Sequence, residues 1–329
     1  MEYNLIAGSS PHIRSSESTP GIMRDVIIAL LPAAAAAIYF FGIRALLVIL
    51  VTVLSCVASE YAATRIMKKS TTVGDYTAAV TGLLLAFNLP PSIPFWIAAI
   101  GGVFAVVVVK QLFGGLGHNF VNPALAARAF LMASWPVAMT TWTQPRVDAV
   151  SMATPLGVDA VSSATPLAML KSGGLSSLPL PDLSSLFFGN VAGCLGETSA
   201  LALLLGAAYL IARRVITLEI PVAFIATVAL MTWIFGGHSL FTGYPLYHIL
   251  AGGLMLGAFF MATDYTTSPV TFKGKIIMGI GCGLITSIIR LYGGYPEGVS
   301  YSILLMNLAA PLIDRYTIPR SFGGEKSNA

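Results

Sequence analysis

Ten apolar runs follow one another along the chain, and one long polar segment separates the first five from the last five. They cover residues 26–42, 45–66, 76–89, 95–113, 123–137, 198–212, 216–235, 247–263, 276–291 and 301–313. A helix of roughly 20 apolar residues crosses a bilayer with its backbone polar groups satisfied internally. The third and eighth runs are short and rich in glycine or proline, so we expect them to be broken or partly re-entrant. The pattern predicts an all-α integral membrane protein with about ten transmembrane helices.

The two groups of five runs share short motifs at matching places. The sequence LFGG at 112–115 closes the fourth run, and LYGG at 291–294 closes the ninth. Residues 81–85 in the third run similarly resemble residues 252–256 in the eighth. An odd number of spans per half would place the halves in opposite orientations, as in the inverted repeats of transporters, with a site near the midplane. Coincidence is the alternative, because glycine-rich tetrads are common in membrane proteins.

Composition supports the membrane assignment and argues against a soluble or nucleic-acid-binding protein. The mean hydropathy is +0.81, and 56% of residues are hydrophobic while only 10% are charged, far from the quarter typical of soluble domains. The net charge of +4 comes from basic residues that stand singly or in pairs between apolar runs, so it predicts topology and no nucleic-acid partner. Cys56, Cys194 and Cys282 are isolated in apolar stretches, which predicts core packing.

The distribution of Lys and Arg predicts the orientation. With a cytoplasmic N-terminus, the inner side holds most of the basic residues, including Lys110, and the outer side holds Arg44, Arg146, Lys171 and Arg290. We therefore expect a multi-pass membrane protein, in contact with lipid, with both termini cytoplasmic. The predicted divisions are a cytoplasmic segment 1–23, a first five-helix repeat 24–138, an outer loop 139–196, a second five-helix repeat 197–316 and a cytoplasmic tail 317–329.

The outer loop contains the most specific chemical signal. Residues 159–167 read DAVSSATPL and fit the pattern D-x-x-[ST]-[GAS]-A-T, which resembles the acceptor motif of flavin transferases that join FMN through its phosphate to a threonine hydroxyl. We predict covalent FMN on Thr165, with Asp159, Ser162, Ser163 and Ala164 as the surrounding motif. Small neighbours in an exposed loop would let a transferase reach Thr165, and the tether leaves the flavin ring free for redox chemistry. The alternative is a polar turn capped by Asp159.

A near copy of the motif lies just upstream. Residues 148–156 read DAVSMATPL, with Met152 where the pattern has a small residue, and this copy lacks the AMLK sequence that follows the second one. Thr154 is therefore the alternative attachment site. The two copies are also consistent with a local duplication.

Taken over nearly its whole length, the chain resembles the D subunits of Rnf electron-transport complexes, a family related to the B subunits of sodium-translocating NADH:quinone reductases. The quinone-reductase relative carries a longer N-terminal extension, which favours the Rnf family. The resemblance rests on the flavin motif and on SPHIR at 10–14, DVIIALLP at 25–32, GHNFVNPA at 117–124 and MATD at 261–264.

This resemblance implies a location in a prokaryotic inner membrane, and it also implies a function. Electrons would pass between ferredoxin and NAD+ through iron–sulfur and flavin subunits, and the redox energy would move Na+ or H+ across the membrane. This chain would contribute covalent FMN on the outer side and a second, noncovalent flavin, riboflavin or FMN, deeper in the membrane. A flavin transferase is implied for maturation. The sites for NAD+ and ferredoxin are expected in partner subunits.

Polar side chains near the ends of the apolar runs are candidates for the second flavin and for an ion path. Asn119 and Asn122 precede Pro123, so they can meet a ligand at a helix N-terminus, although ordinary capping is the alternative. Asp264 is followed by hydroxyl residues and could strip water from Na+, or it could only terminate a helix.

Asp314 is a second ion-path candidate, with a pairing to Arg315 or Arg128 as the alternative. Asp75, Glu60 and Glu197 are weaker candidates, and we predict no metal site and no catalytic residue. The competing function is a small-solute transporter or channel with an inverted-repeat pathway, for which the D-x-x-S-x-A-T motif would serve no purpose. A structural protein of a complex, without cofactor, is the third class.

Overall fold

The computed structural model describes residues 18–69, 71–145, 164–173, 181–237, 239–295 and 297–318, apart from the side chains of residues 172 and 173. Within these ranges the regular structure is helical. The helices are α1 (Thr19–Phe41), α2 (Ile43–Ile66), α3 (Thr77–Phe87), α4 (Phe95–Val103), α5 (Pro123–Ser134), α6 (Pro136–Thr140), α7 (Pro166–Gly173), α8 (Leu183–Phe188), α9 (Ala200–Ala212), α10 (Glu219–Phe235), α11 (Pro245–Leu250), α12 (Leu254–Leu256), α13 (Phe272–Tyr292) and α14 (Val299–Thr317).

Three helices, α1, α2 and α13, are long and apolar enough to cross a bilayer. Shorter apolar helices include α3, α5, α9, α10 and the stretch Phe95–Gln111. The all-helical prediction is confirmed, and every predicted apolar run contains helix. Ten full spans are not established, because most of these helices are shorter than the roughly 20 residues that a simple span needs.

The eighth run is broken, as the sequence predicts, whereas the third forms one short helix without an internal break. α3 ends at Phe87 after 11 residues, and the eighth run is interrupted between α11 and α12. The chain then continues as a π-helix, Gly257–Met261. α4 likewise continues as the π-helix Phe104–Gln111, a form that is rare and often marks a functional site.

Small residues set the distances between the helices. Gly42, with φ of 71°, ends α1 and lets α2 begin at the next residue, in a left-handed conformation that glycine adopts at little cost. On α9, a Cβ atom added at Gly206 would lie 2.0 Å from the carbonyl oxygen of Ala29 on α1. α1 and α9 therefore pack backbone to backbone at this crossing, as small residues permit between membrane helices.

We expect Gly206→Ala to destabilise the protein by about 3 kcal/mol, the upper end for an overpacked site. The new methyl group would clash with the Ala29 carbonyl oxygen, a backbone atom that cannot rotate away, and it would also lie 3.1 Å from Cζ of Phe260. The measurement is the thermal unfolding midpoint in detergent. Gly294→Ala is the matched control, since a Cβ atom there meets nothing within 4 Å. Equal midpoints for the two variants would contradict the close α1–α9 packing.

The end of the predicted outer loop lies inside the fold. Residues 191–200 are buried, and the backbone N–H groups of Leu195 and Gly196 donate to the carbonyl oxygens of Leu89 (3.0 Å) and Phe87 (2.9 Å). The segment thus supplies hydrogen-bond donors for two carbonyl groups at the C-terminal end of α3. Most of its residues are small or apolar, and its one charged residue, Glu197, pairs with Arg128, so the segment can pack in the core instead of extending into water.

Candidate functional site

Thr165 caps the N-terminus of α7. Its Oγ1 accepts a hydrogen bond from the backbone N–H of Ala168 (3.2 Å), and its carbonyl oxygen accepts from the N–H of Met169 (2.9 Å). Pro166 follows as the first helical residue, where its missing N–H costs nothing. A hydroxyl at the start of a helix lies beside unpaired N–H groups, which favour negatively charged groups such as phosphate.

The other residues of the motif fall mostly outside the described part of the chain. Asp159, Ser162, Ser163 and the alternative acceptor Thr154 lie in 146–163, so nothing tests their roles. Ala164 is described and exposed.

Thr165 is buried, with 5% of its surface exposed, which differs from the expected exposed position. The next two residues are also buried, and Leu167 packs in a small cluster with Leu186, Val191 and Ala251. These apolar contacts hold the start of α7 against the helical core, and they cover the hydroxyl. Another protein can therefore reach the Thr165 hydroxyl only when this segment is displaced from the core.

A cavity of about 290 Å³, which we call the Thr165 cavity, opens beside this hydroxyl. The aromatic side chains of Trp142, Tyr295 and Tyr301 line it, together with Arg128. Its volume is near the lower limit for small-molecule sites. Its lining combines aromatic walls, which suit a planar ligand, with a cation whose ion-pair partner Glu297 also lines the cavity.

Arg128 belongs to a buried charged cluster beside the Thr165 cavity. Arg128 on α5 is 5% exposed, and its Nη1 donates to Asn88 Oδ1 (2.7 Å) and Glu197 Oε1 (3.4 Å). Its Nη2 donates to Glu297. The sequence signal for this cluster was incomplete: Arg128 stands out as a charge inside an apolar run, whereas Glu297 resembles an ordinary loop residue.

Three potential metal ligands converge in the same place. Ligand atoms of Cys194, Glu197 and Glu297 lie within 4.8 Å of one another, which the sequence analysis did not predict. The guanidinium of Arg128 contacts both carboxylates and supplies the positive charge that a cation would otherwise provide. All three cysteines are buried and free of disulfides, as predicted.

A second cavity, of about 280 Å³, contains the other candidates and is called the Asp264 cavity. Asn119, Asn122 and Asp264 all line it. Asn119 Nδ2 donates to Thr266 Oγ1 (2.9 Å), and the Thr266 hydroxyl donates in turn to Asp264 Oδ2 (3.1 Å). Residues that are far apart in sequence thus form one polar wall. The rest of the lining is largely apolar.

Asn122 has both roles that the sequence left open. Its Oδ1 caps α5 by accepting from the N–H groups of Ala124 (3.0 Å) and Leu125 (3.3 Å), while the residue also lines the Asp264 cavity. Asp314 lies elsewhere: its Oδ1 accepts from the N–H of Val270 (3.0 Å), and it does not line this cavity. The suggested pairing of Asp314 with Arg128 is wrong, because Arg128 pairs with two glutamates.

Lys110 differs from its predicted place at the inner surface. It is 3% exposed and lies in the π-helix, where its Nζ donates to Glu60 Oε1 (2.7 Å) and to Thr77 Oγ1 (2.7 Å). Glu60 is fully buried. Lys110 lines the Asp264 cavity, so a residue counted as a topology signal belongs to a candidate site.

The two cavities lie along one helix. Pro123 and Ala124 of α5 line the Asp264 cavity, and Ala129 and Met132 of α5 line the Thr165 cavity. At 1.5 Å per residue, Ala124 and Ala129 are separated by roughly 8 Å along the axis.

Hydrogen bonds link residues of the two cavities across the region between them. Asn88, which accepts from Arg128, donates to Met261 Sδ (3.5 Å), and Asn122 donates to the Met261 carbonyl (3.4 Å). Met261 therefore accepts hydrogen bonds from Asn88, which also bonds Arg128 of the Thr165 cavity, and from Asn122 of the Asp264 cavity.

Comparison with known proteins identifies similar sequences over almost the entire chain. The NQR2, RnfD, RnfE family matches residues 6–323. The chain is 54% identical over 328 residues to the D subunit of the Na(+)-translocating ferredoxin:NAD(+) oxidoreductase complex of Acetobacterium woodii, covering 99% of this chain and 97% of that protein. It is 49% identical over 320 residues to the D subunit of the proton-translocating ferredoxin:NAD(+) oxidoreductase complex of Clostridium ljungdahlii, covering 96% and 95%. The D subunit of the ion-translocating oxidoreductase complex of Halorhodospira halophila is 40% identical over 353 residues, covering 99% and 97%.

Proposed function

The chain belongs to the NQR2, RnfD, RnfE family, and we propose from this premise that it is a flavin-carrying membrane component of an ion-translocating ferredoxin:NAD+ oxidoreductase. Its relatives are D subunits of such complexes, so its partners are the other Rnf subunits, which carry the NAD+ and ferredoxin sites. In this proposal the chain relays electrons through covalent FMN and a second, noncovalent flavin, riboflavin or FMN. The relay is coupled to transport of Na+ or H+.

The geometry around Thr165 supports FMN as the covalent group. The hydroxyl lies at a helix N-terminus, which favours a phosphate, and aromatic side chains and Arg128 line the adjoining cavity. FMN supplies redox chemistry there, while this chain orients it through the cap, the aromatic walls and the buried cation. Because Thr165 is buried, the transferase acts before the segment packs against the core.

The observation that carries the proposal is the position of the two cavities on α5. The separation of roughly 8 Å along the axis allows electrons to pass between flavins bound in the two cavities without a further carrier in this chain. Asn119 and Asn122 supply hydrogen-bonding groups for the second flavin. Asp264 is the carboxylate that we propose for the ion path, because none of the ion pairs among the described residues neutralises it. Asp314 stays a prediction for the same path.

We also propose that the ten helical runs form two inverted repeats. Helix contacts support this: the first helices of the halves, α1 and α9, pack together, and so do the last, α5 and α14. Within the halves, α2 packs on α4 as α10 packs on α13. With both termini cytoplasmic, the Asp264 cavity beside the start of α1 faces the inner side, and the Thr165 cavity faces the outer side.

The proposed covalent flavin is tested by expressing the chain with its flavin transferase and running a denaturing gel. We expect in-gel flavin fluorescence at the chain's position, since a phosphoester survives denaturation. An intact-mass increase equal to FMN less one water is the independent check. A dark band, with the same transferase labelling another acceptor protein, would overturn the covalent proposal.

A further inference from the structure

Glu60 and Lys110 form an ion pair that is withdrawn almost completely from solvent. Oε1 of Glu60 accepts from three donors: Lys110 Nζ (2.7 Å), Gln111 Nε2 (3.0 Å) and Thr72 Oγ1 (2.8 Å). Its Oε2 is buried and has no hydrogen-bond partner among the described residues. One oxygen thus anchors the lysine, while the other is left without compensation.

The cost of this arrangement indicates a role beyond stability. Charges inside a membrane protein are expensive and usually functional, and a buried ion pair often contributes less to folding than apolar residues of similar volume. The pair also coincides with an unusual backbone form, because Lys110 and Gln111 belong to a π-helix. Its wider turn brings two successive side chains to the same glutamate oxygen.

Lys110 is the member of the pair that faces a cavity. It lines the Asp264 cavity, whereas Glu60 does not and lies behind it. The cavity therefore has a cation on one wall and, on another, the chain of Asn119, Thr266 and Asp264, which is rich in acceptor oxygens. A planar ligand with an acceptor edge and a separate donor group matches these two walls.

We propose that Lys110 binds the electron-rich edge of the flavin in the Asp264 cavity and that Glu60 is a positioning residue that holds Lys110 and offsets its charge. The inference rests on the noncovalent flavin of the proposed function. The isoalloxazine N1–C2=O edge faces Lys110, and the N3–H donor faces the acceptor wall. Charge near N1 is a known means of tuning flavin electronics.

The charge balance gives opposite effects for the two residues. Oxidised flavin takes up two electrons, from the redox carriers of partner subunits, and one proton, and it then carries one negative charge at N1–C2=O. The Lys110 ammonium stabilises that charge, so its removal lowers the reduction potential. The Glu60 carboxylate opposes it, so its neutralisation raises the potential.

The experiment measures the midpoint potential of the noncovalent flavin in the purified complex. We expect Lys110→Met to lower the preference for the reduced form about tenfold, which is about 30 mV for a two-electron couple. Glu60→Gln should raise it, and it preserves the shape of a side chain whose Oε2 has no partner to lose. Flavin released by acid denaturation is quantified by chromatography, and in-gel fluorescence gives the covalent flavin separately.

If Lys110→Met fails to assemble, the double variant Lys110→Met/Glu60→Gln can be measured in its place, because the double variant leaves no unpaired buried charge. Its potential should lie below that of Glu60→Gln alone. The control is Lys275→Met, which removes a half-buried lysine whose ammonium donates to Thr217 Oγ1 and which does not line the cavity.

Unshifted potentials, or shifts in the same direction for both single variants, would overturn the proposed role of Lys110. They would leave the proposal of a second, noncovalent flavin intact. A wild-type complex that carries covalent flavin but releases none would overturn the noncovalent flavin and this inference together. A purely structural role would change assembly without opposite potential shifts.

Discussion

Thr165→Val is expected to abolish covalent flavin completely, because a phosphoester needs the hydroxyl oxygen that valine replaces with a methyl group. The two side chains have nearly the same shape, so the apolar contacts of the α7 segment are retained. The lost hydrogen bond from the Ala168 N–H costs about 1 kcal/mol, as for other N-caps, which is too little to unfold the chain. The measurement is in-gel fluorescence normalised to the amount of chain by immunoblot.

Thr154→Val is the matched control for this prediction, because it removes the hydroxyl of the upstream motif copy. We expect its fluorescence to equal that of the unmodified chain. Fluorescence that survives Thr165→Val and disappears with Thr154→Val would move the attachment site upstream. The Thr165 cavity would then have to be reached from a residue outside the described ranges.

The sequence predicted the features of this protein that depend on local pattern. Apolar runs identified the helices, because helix burial in a bilayer depends on the composition of a single segment. Glycine in the eighth run predicted its break for the same reason, whereas α3 continues through Gly82. The flavin motif is also local, as nine consecutive residues contain it. Its burial was not predictable, since Leu167 is covered by side chains from α8, α11 and the segment after α8.

Features that join distant segments escaped the sequence analysis. Lys110 looked like a surface charge because its position after an apolar run is where topology signals occur. Only the folded chain brings Glu60, 50 residues away, within hydrogen-bonding distance of it. The role of Glu297 was likewise not predictable from sequence, because its partner Arg128 lies 169 residues earlier. Hydropathy reports how polar a residue is. It carries no information about which oppositely charged residue will pair with a buried charge in the folded protein.

Arg128→Met is expected to destabilise the protein by about 3–5 kcal/mol, the cost of leaving a buried charge without its partner. The guanidinium holds Glu197 and Glu297 together and donates to Asn88, and methionine fills part of the volume without any donor. Arg128→Lys should recover only part of the loss, because an ammonium lacks the planar fork that reaches several acceptors at once. The measurement is the thermal unfolding midpoint in detergent.

Two further variants separate charge from packing at this site. Arg213→Met removes an arginine whose side chain is 59% exposed and pairs with Asp25, so its loss should cost at most about 1 kcal/mol. The triple variant Arg128→Met/Glu197→Gln/Glu297→Gln removes the uncompensated charges and should restore most of the stability. If the triple variant were no more stable than Arg128→Met, the arginine would act through its shape and not through its charge. Restored stability with weak flavin binding would instead assign the charged cluster to the cofactor, because only the ligand would then still require the cation.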